Sequence, residues 1–174
     1  MYVAYTDTTG SNRLAAIATA NGAMTMSIAV GSDAATLAPA VALTPDGKRA
    51  YVTLAASGQL AVVDLVKAKL LTTVSLGSGI LPGAIVIHPN GKTAYVVSSG
   101  GFHGVAVFSL ASNAVTATIA IPGQPSGIAL TADGGSAYVS VSKGHAVVIS
   151  TALQKITRKL SVTNTSSAAV VTVP

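Results

Sequence analysis

At 174 residues, half of them hydrophobic and only 9% charged, the chain is long enough for one domain with a real core and too apolar for intrinsic disorder. The absence of cysteine excludes disulfides, thiol catalysis and cysteine-based metal sites. The net charge of +5 is scattered, and even its densest group, Lys155 to Lys159, reads as a solvated outer strand rather than a nucleic-acid surface.

The apolar residues are small, Ala and Val above all, with many Thr and Ile and no Glu. That composition suits sheets with mostly buried faces. No stretch reaches the roughly 18 consecutive apolar residues of a membrane span. Met1-Tyr2-Val3 opens directly into strand-like sequence without a basic leader.

In chain order, Tyr2 to Tyr5 reads as a strand, followed by a polar loop from Asp7 to Arg13. A clearer unit begins at residue 40. Ala40 to Thr44 is an apolar inner strand, and Pro45-Asp46-Gly47-Lys48 is a turn in which Pro fixes φ, Asp bonds its own backbone and Gly accepts positive φ. Arg49 to Leu54, Gln59 to Asp64 and Lys69 to Leu76 supply three more strands. The same pattern returns as Gly83 to His88, Thr93 to Ser98, Val105 to Leu110 and Ala114 to Ile121. It returns again as Gly127 to Thr131, Ser136 to Ser142, His145 to Ser150 and Lys155 to Val162. The tyrosines at 51, 95 and 138 set steps of 44 and 43 residues. A fixed period in this range, with four short antiparallel strands per repeat, predicts the blades of a β-propeller.

The chain begins on a second strand without its inner partner, and Ala168 to Pro174 reads as an inner strand with nothing after it. Together they predict a split closing blade, which removes two exposed sheet edges. The expectation is therefore an all-β protein with a single propeller domain over 1–174. Its four blades are 1–38 plus 167–174, then 39–82, 83–125 and 126–166. Two assemblies satisfy this: a self-closed four-bladed ring, or an eight-bladed ring made with a second copy of the chain as a homodimer. A fragment of a longer propeller is a third.

Pro45-Asp46-Gly47-Lys48-Arg49-Ala50-Tyr51-Val52-Thr53, Leu60-Ala61-Val62-Val63-Asp64 and Leu71-Thr72-Thr73-Val74-Ser75-Leu76-Gly77 resemble the YVTN family of β-propeller repeats, as do Val105 to Ser109 and Val115 to Leu130. The resemblance covers essentially the whole chain. It implies a propeller of the surface-layer-like or lactonase-like kind and an extracellular or periplasmic setting. The sequence departs from the pattern at Leu54, where the family has Asn. The Asp that ends the third strand survives as Asp64 but is Ser109 and Ser150 in the later repeats.

Ligand sites of propellers lie on the face built by the loops entering each inner strand and those joining the second and third strands. Here those are Asp7 to Arg13, Ala55 to Gly58, Ser98 to Gly104 and Lys143-Gly144, with Gly31 to Pro39, Gly77 to Pro82, Pro122 to Ser126 and Asn164 to Ser167. The polar candidates on them are Asp7, Asn12 and Arg13, a set suited to an anionic or hydroxylated ligand and equally to a surface ion pair. Phe102 and His103 lie at the matching place in the third repeat, where an aromatic beside an imidazole suits a sugar or a base, or forms an exposed loop tip. The histidines, His88, His103 and His145, have no spacing that puts two on one metal, and no metal or cofactor is expected. The carboxylates are Asp7, Asp33, Asp46, Asp64 and Asp133, two of them in turns, and no Gly-x-Ser-x-Gly elbow occurs, so no catalytic residue is assigned.

The functional expectation is a non-catalytic binding or scaffolding module whose partner on the channel face is a protein or a small ligand. The alternatives are a structural, fragment or engineered propeller without a ligand, and a lactonase-like or quinoprotein-related enzyme subunit, for which these loops are short and poor in acids and bases.

Overall fold

The computed structural model describes residues 1–32 and 38–161. These form fifteen strands in four antiparallel sheets, each a simple up-and-down meander. The first sheet holds β1 (Tyr2–Thr6), β2 (Ser11–Ile17) and β3 (Met24–Ser32). The second holds β4 (Val41–Leu43), β5 (Arg49–Leu54), β6 (Gln59–Asp64) and β7 (Lys69–Ser75). The third holds β8 (Pro82–Ile87), β9 (Thr93–Ser99), β10 (His103–Ser109) and β11 (Ala114–Ala120). The fourth holds β12 (Pro125–Leu130), β13 (Ser136–Val141), β14 (His145–Ser150) and β15 (Lys155–Ser161). This is the expected propeller of four blades. The strand expected to complete the first sheet, from Ala168 to Pro174, lies outside the described residues, as do Asp33 and Asn164 to Ser167.

Each four-residue Pro-Asp-Gly type turn is closed by the same chemistry. The Thr44 hydroxyl donates to Asp46 Oδ1 at 2.6 Å, and the Lys48 N–H donates to the same oxygen at 3.1 Å. Thr131, Asp133 and Gly135 repeat the arrangement, with the Gly135 N–H at 2.9 Å. In the third sheet Asn90 takes the Asp position and accepts from the Lys92 N–H at 2.9 Å, while His88 Nδ1 accepts from the Asn90 N–H at 3.1 Å. His88 is thus a turn residue. The turn joining third and fourth strands also recurs. Asp64 accepts from the Lys67 N–H at 2.8 Å, Ser109 from Ser112 and Ser150 from Leu153. A β-bulge follows at one register in every complete sheet: Val62/Val63, Val107/Phe108 and Val148/Ile149. Bulges increase local twist, which is what stacked blades need.

Alternation of side chains along each strand sends one set of residues to the preceding sheet and the other to the following one. Ala50, Val52, Ala61 and Val63 pack with Leu14, Ile28 and Val30 of the first sheet. Tyr51, Leu60 and Val62 pack with Ala94, Val96, Ala106 and Phe108 of the third. Tyr95, Val97, Val105 and Val107 pack with Ala137, Val139, Val147 and Ile149 of the fourth. Tyr51 and Tyr95 therefore point forward into the sheet that follows each of them. Tyr51 is fully buried and meets Phe108 edge-on, with ring centroids 6.1 Å apart.

Phe108→Ala removes a fully buried ring from this contact and is expected to destabilise the fold by about 3–5 kcal/mol, read as a lower urea midpoint with an unchanged slope. A second expectation concerns acid. The hydroxyls of Thr9, Thr44 and Thr131, with the backbone N–H groups beside them, hold the Asp7, Asp46 and Asp133 carboxyls below the ordinary carboxylate range. A depressed folded pKa gives stability that is complete above the unfolded value of about 3.9 and is lost as pH falls through the folded value. Asp46→Asn combined with Asp133→Asn keeps the turn acceptor, as Asn90 does. It should flatten the decline in melting temperature below about pH 4 and leave the neutral-pH value within a few degrees of the parent.

Candidate functional site

The gap between the third and fourth sheets stays open at the end where the second and third strands are joined. His103 begins β10 and shares its face with Val105 and Val107, which point to the fourth sheet. His145 begins β14 and lies opposite Val141, on the face that points back to the third sheet. Lys159 of β15 pairs with Val147 on that same face. The two imidazoles and the Lys159 ammonium therefore enter one cleft from both sides. Its volume is about 590 Å³, within the usual range for small-ligand pockets. Val141 and Val147, both part of the buried core, form the floor, and Pro122 forms a wall. Gln124, Ser142 and Lys143 complete the polar rim.

Local backbone chemistry fixes these groups. Lys143 and Gly144 both have positive φ, 64° and 69°, the combination that makes a tight hairpin turn between twisted strands. Lysine at such an angle is uncommon. The Lys143 carbonyl accepts from His145 Nδ1 at 2.7 Å, which fixes the proton on Nδ1 and leaves Nε2 outside that bond. Across the cleft the Ser142 N–H donates to the Gln124 carbonyl at 2.9 Å, so the hairpin is tied to the connection entering β12. Gly123 has φ 106°, and a Cβ there would stand 2.7 Å from Val141 Cγ1. Only glycine lets this connection run so close to the floor.

The residues expected to form a site are distributed as follows. His103 lies in the cleft, as the first residue of a strand rather than in a loop. Phe102 turns the other way. Its ring lies where a Cβ on Gly104 would be, 2.5 Å from that position, and it packs on the core between the second and third sheets. Its N–H donates to the Gly79 carbonyl at 2.9 Å. The expected loop Asp7 to Arg13 is shorter than its polar sequence suggests, because β2 already begins at Ser11. Asn12 is buried, and its Oδ1 accepts from the Thr6 hydroxyl at 2.7 Å. Asp7 accepts from Thr9 and Ser11 and forms an ion pair with Arg13 at 3.7 Å, the surface pair that was one of its two readings. None of Asp7, Asn12, Arg13 and Phe102 lines the cleft.

Among the described residues no carboxylate lines the cleft. The four described ones, Asp7, Asp46, Asp64 and Asp133, each accept hydrogen bonds in their own turns. Among the described residues no group of three or more His, Asp or Glu is placed to hold a metal ion. Among them, too, no helix is long and apolar enough to cross a membrane. A second cavity of about 470 Å³ lies at the opposite end, between the second and third sheets, but its Asp46 and Asn90 are already engaged in the turns described above.

No protein-family profile matches the sequence, and no curated protein matches it. The fold does match solved structures. One is Kuenenia stuttgartiensis hydrazine synthase, with a TM-score of 0.73 and 25% identity over 86% of this chain. The match covers 42% of that protein's chain, so this chain spans less than half its length. Likeness at this level supports the propeller fold, and a fold by itself does not select an activity.

Proposed function

We propose that this chain is a binding module, with its ligand held in the cleft between the third and fourth sheets. The observation that carries this reading is the cleft itself: an opening with an apolar floor and converging polar groups, fixed by two hydrogen-bonded connections. Binding rather than catalysis is supported by the engagement of the described carboxylates elsewhere. The repeat resembles the YVTN type, and with it an extracellular or periplasmic setting. The test is a ligand-observed NMR screen of a neutral and charged fragment panel. Fragments should bind the parent chain and lose binding in Gln124→Trp, whose indole would cover the mouth from an exposed position. Hits of equal strength in both would place the ligand elsewhere, and a panel without hits would favour a purely structural role.

A second copy of the chain is a further part of this reading. Tyr51 and Tyr95, 0% and 2% exposed, are covered by the sheet that follows each of them. Tyr138, at the same register, is only half-buried. The first sheet presents the kind of surface that receives a tyrosine elsewhere, with Val3 opposite Ala15 as Val52 is opposite Ala61. Head-to-tail pairing of two chains would close an eight-bladed ring. Light scattering coupled to size exclusion should give twice the 17.1 kDa of one chain, and a mass of 17.1 kDa across a wide concentration range would overturn the dimer.

A further inference from the structure

We infer that the cleft between the third and fourth sheets takes a small organic anion, a carboxylate carried on a compact apolar body. This rests on the binding role proposed above and names the ligand class.

The argument comes from comparing the cleft with the same place in the neighbouring gap. The sheets share one hydrogen-bond register, so equivalent positions can be read directly. His145 lies opposite the third residue after Tyr138, as Gly104 lies opposite the third residue after Tyr95 and Gln59 opposite the third after Tyr51. Lys159 lies outside Val147, as Thr118 lies outside Ala106 and Thr73 outside Ala61. His103 immediately precedes the position of Gly104, as Gly58 precedes Gln59. In the gap between the second and third sheets the three positions are therefore Gly58, Gly104 and Thr118. In the gap between the third and fourth they are His103, His145 and Lys159. Nothing in the blade scaffold calls for these residues, since the same fold is built with glycine and threonine in the adjacent gap.

All three changes add basic or imidazole groups, and all three reach one cavity. Lys143 adds a second ammonium from the hairpin, at a backbone angle lysine seldom adopts. Among the described residues no carboxylate lines the cavity to neutralise the two lysines. A pocket with charge of one sign and apolar walls concentrates ions of the opposite sign. The Ser142 hydroxyl and the Gln124 amide offer uncharged hydrogen bonds beside the ammonium groups, and the Val141–Val147 floor with Pro122 accepts an apolar body. The volume of about 590 Å³ and the openness of the rim suit a small molecule rather than a polymer tract.

The probes are benzoate and its uncharged isostere benzamide, titrated by NMR into the parent chain and into a Lys143→Asn, Lys159→Thr double variant. Asn tolerates the positive φ at 143, and Thr is what the second and third sheets carry at the position of Lys159, so the variant should keep the parent melting temperature. Benzoate is expected to bind the parent at least tenfold more tightly than benzamide, with shifts at His103, Gln124 and His145. The double variant should bind the two probes alike. Raising the salt concentration should weaken benzoate and leave benzamide unchanged. Equal affinity of the parent for both probes would overturn the anion inference while leaving the cleft as a binding site. So would benzoate binding that survives in the folded double variant. Neutral fragments lost in Gln124→Trp, with no benzoate bound to the parent, would also reject the anion and retain the site.

Discussion

The second and third sheets must bury both faces at once, and most of this structure follows from that constraint. A sheet with one wet face alternates apolar and polar residues. A sheet held between two others cannot, and its central strands become nearly unbroken apolar runs. β5, β6, β9 and β10 show this, with interiors such as Ala50 to Leu54 and Val105 to Phe108 buried throughout. The limited depth between stacked sheets explains the excess of Ala and Val. The forward-pointing tyrosines of the second and third sheets fit beside small residues of the next sheet: Ala94 and Ala106 lie in the core with Tyr51, next to the Phe108 ring it meets edge-on, and Ala137 lies in the core with Tyr95.

Burial of both faces also dictates where polar atoms can go. Most of those inside the core are paired. Thr53 and Ser140 occupy equivalent buried positions two residues after the repeat tyrosine, and Ser98 is buried one residue further along its strand. The Thr53 hydroxyl accepts from the Ala40 N–H at 2.8 Å, Ser98 from Leu81 at 3.1 Å and Ser140 from Gly127 at 2.9 Å. Each hydroxyl anchors the segment that enters the inner strand. That segment, in the fourth sheet, carries Gln124 and forms one wall of the cleft. The site is thus supported by the kind of bond that also holds the segments entering β4 and β8, the latter beside a cavity of about 400 Å³ lined by glycines, Ala55, Ala56, Ser57, Ser78, Ile80 and Leu81.

The fold was legible because its signals are local and repeat. The Pro45-Asp46-Gly47 turn, the tyrosine step and the length of each strand can all be read along the chain, and the structure places the strands of the second sheet within a residue or two of where they were expected. The site was less legible. Lys143-Gly144 and Pro122 to Ser126 stood among the expected loops, and His103 among the expected residues. His145 and Lys159 did not, because they lie on strands and reach the cleft only through pairing between β13, β14 and β15. Asn12 and Arg13 looked like loop residues because they are polar, whereas both lie in β2, where Asn12 is buried by its bond to Thr6. Phe102 and His103 looked like one unit because they are adjacent. Adjacent residues at the start of a strand face opposite sides, and that period alone separates them into different gaps.

A repeat protein therefore offers its own control for function. Positions set by packing recur from blade to blade: the tyrosines, the buried hydroxyls, the turn acceptors. A ligand site needs residues that packing does not set, and in a fold with both faces buried these can stand only at strand ends and on outer strands. Gly58, Gly104 and Thr118 occupy these places in the gap between the second and third sheets. His103, His145 and Lys159 stand there in the gap between the third and fourth sheets, on three separate strands of two sheets, and the difference has one chemical direction. Drift at exposed positions would scatter such changes over all the gaps and mix their charges, whereas these converge on a cavity whose floor is core and whose walls are hydrogen-bonded in place.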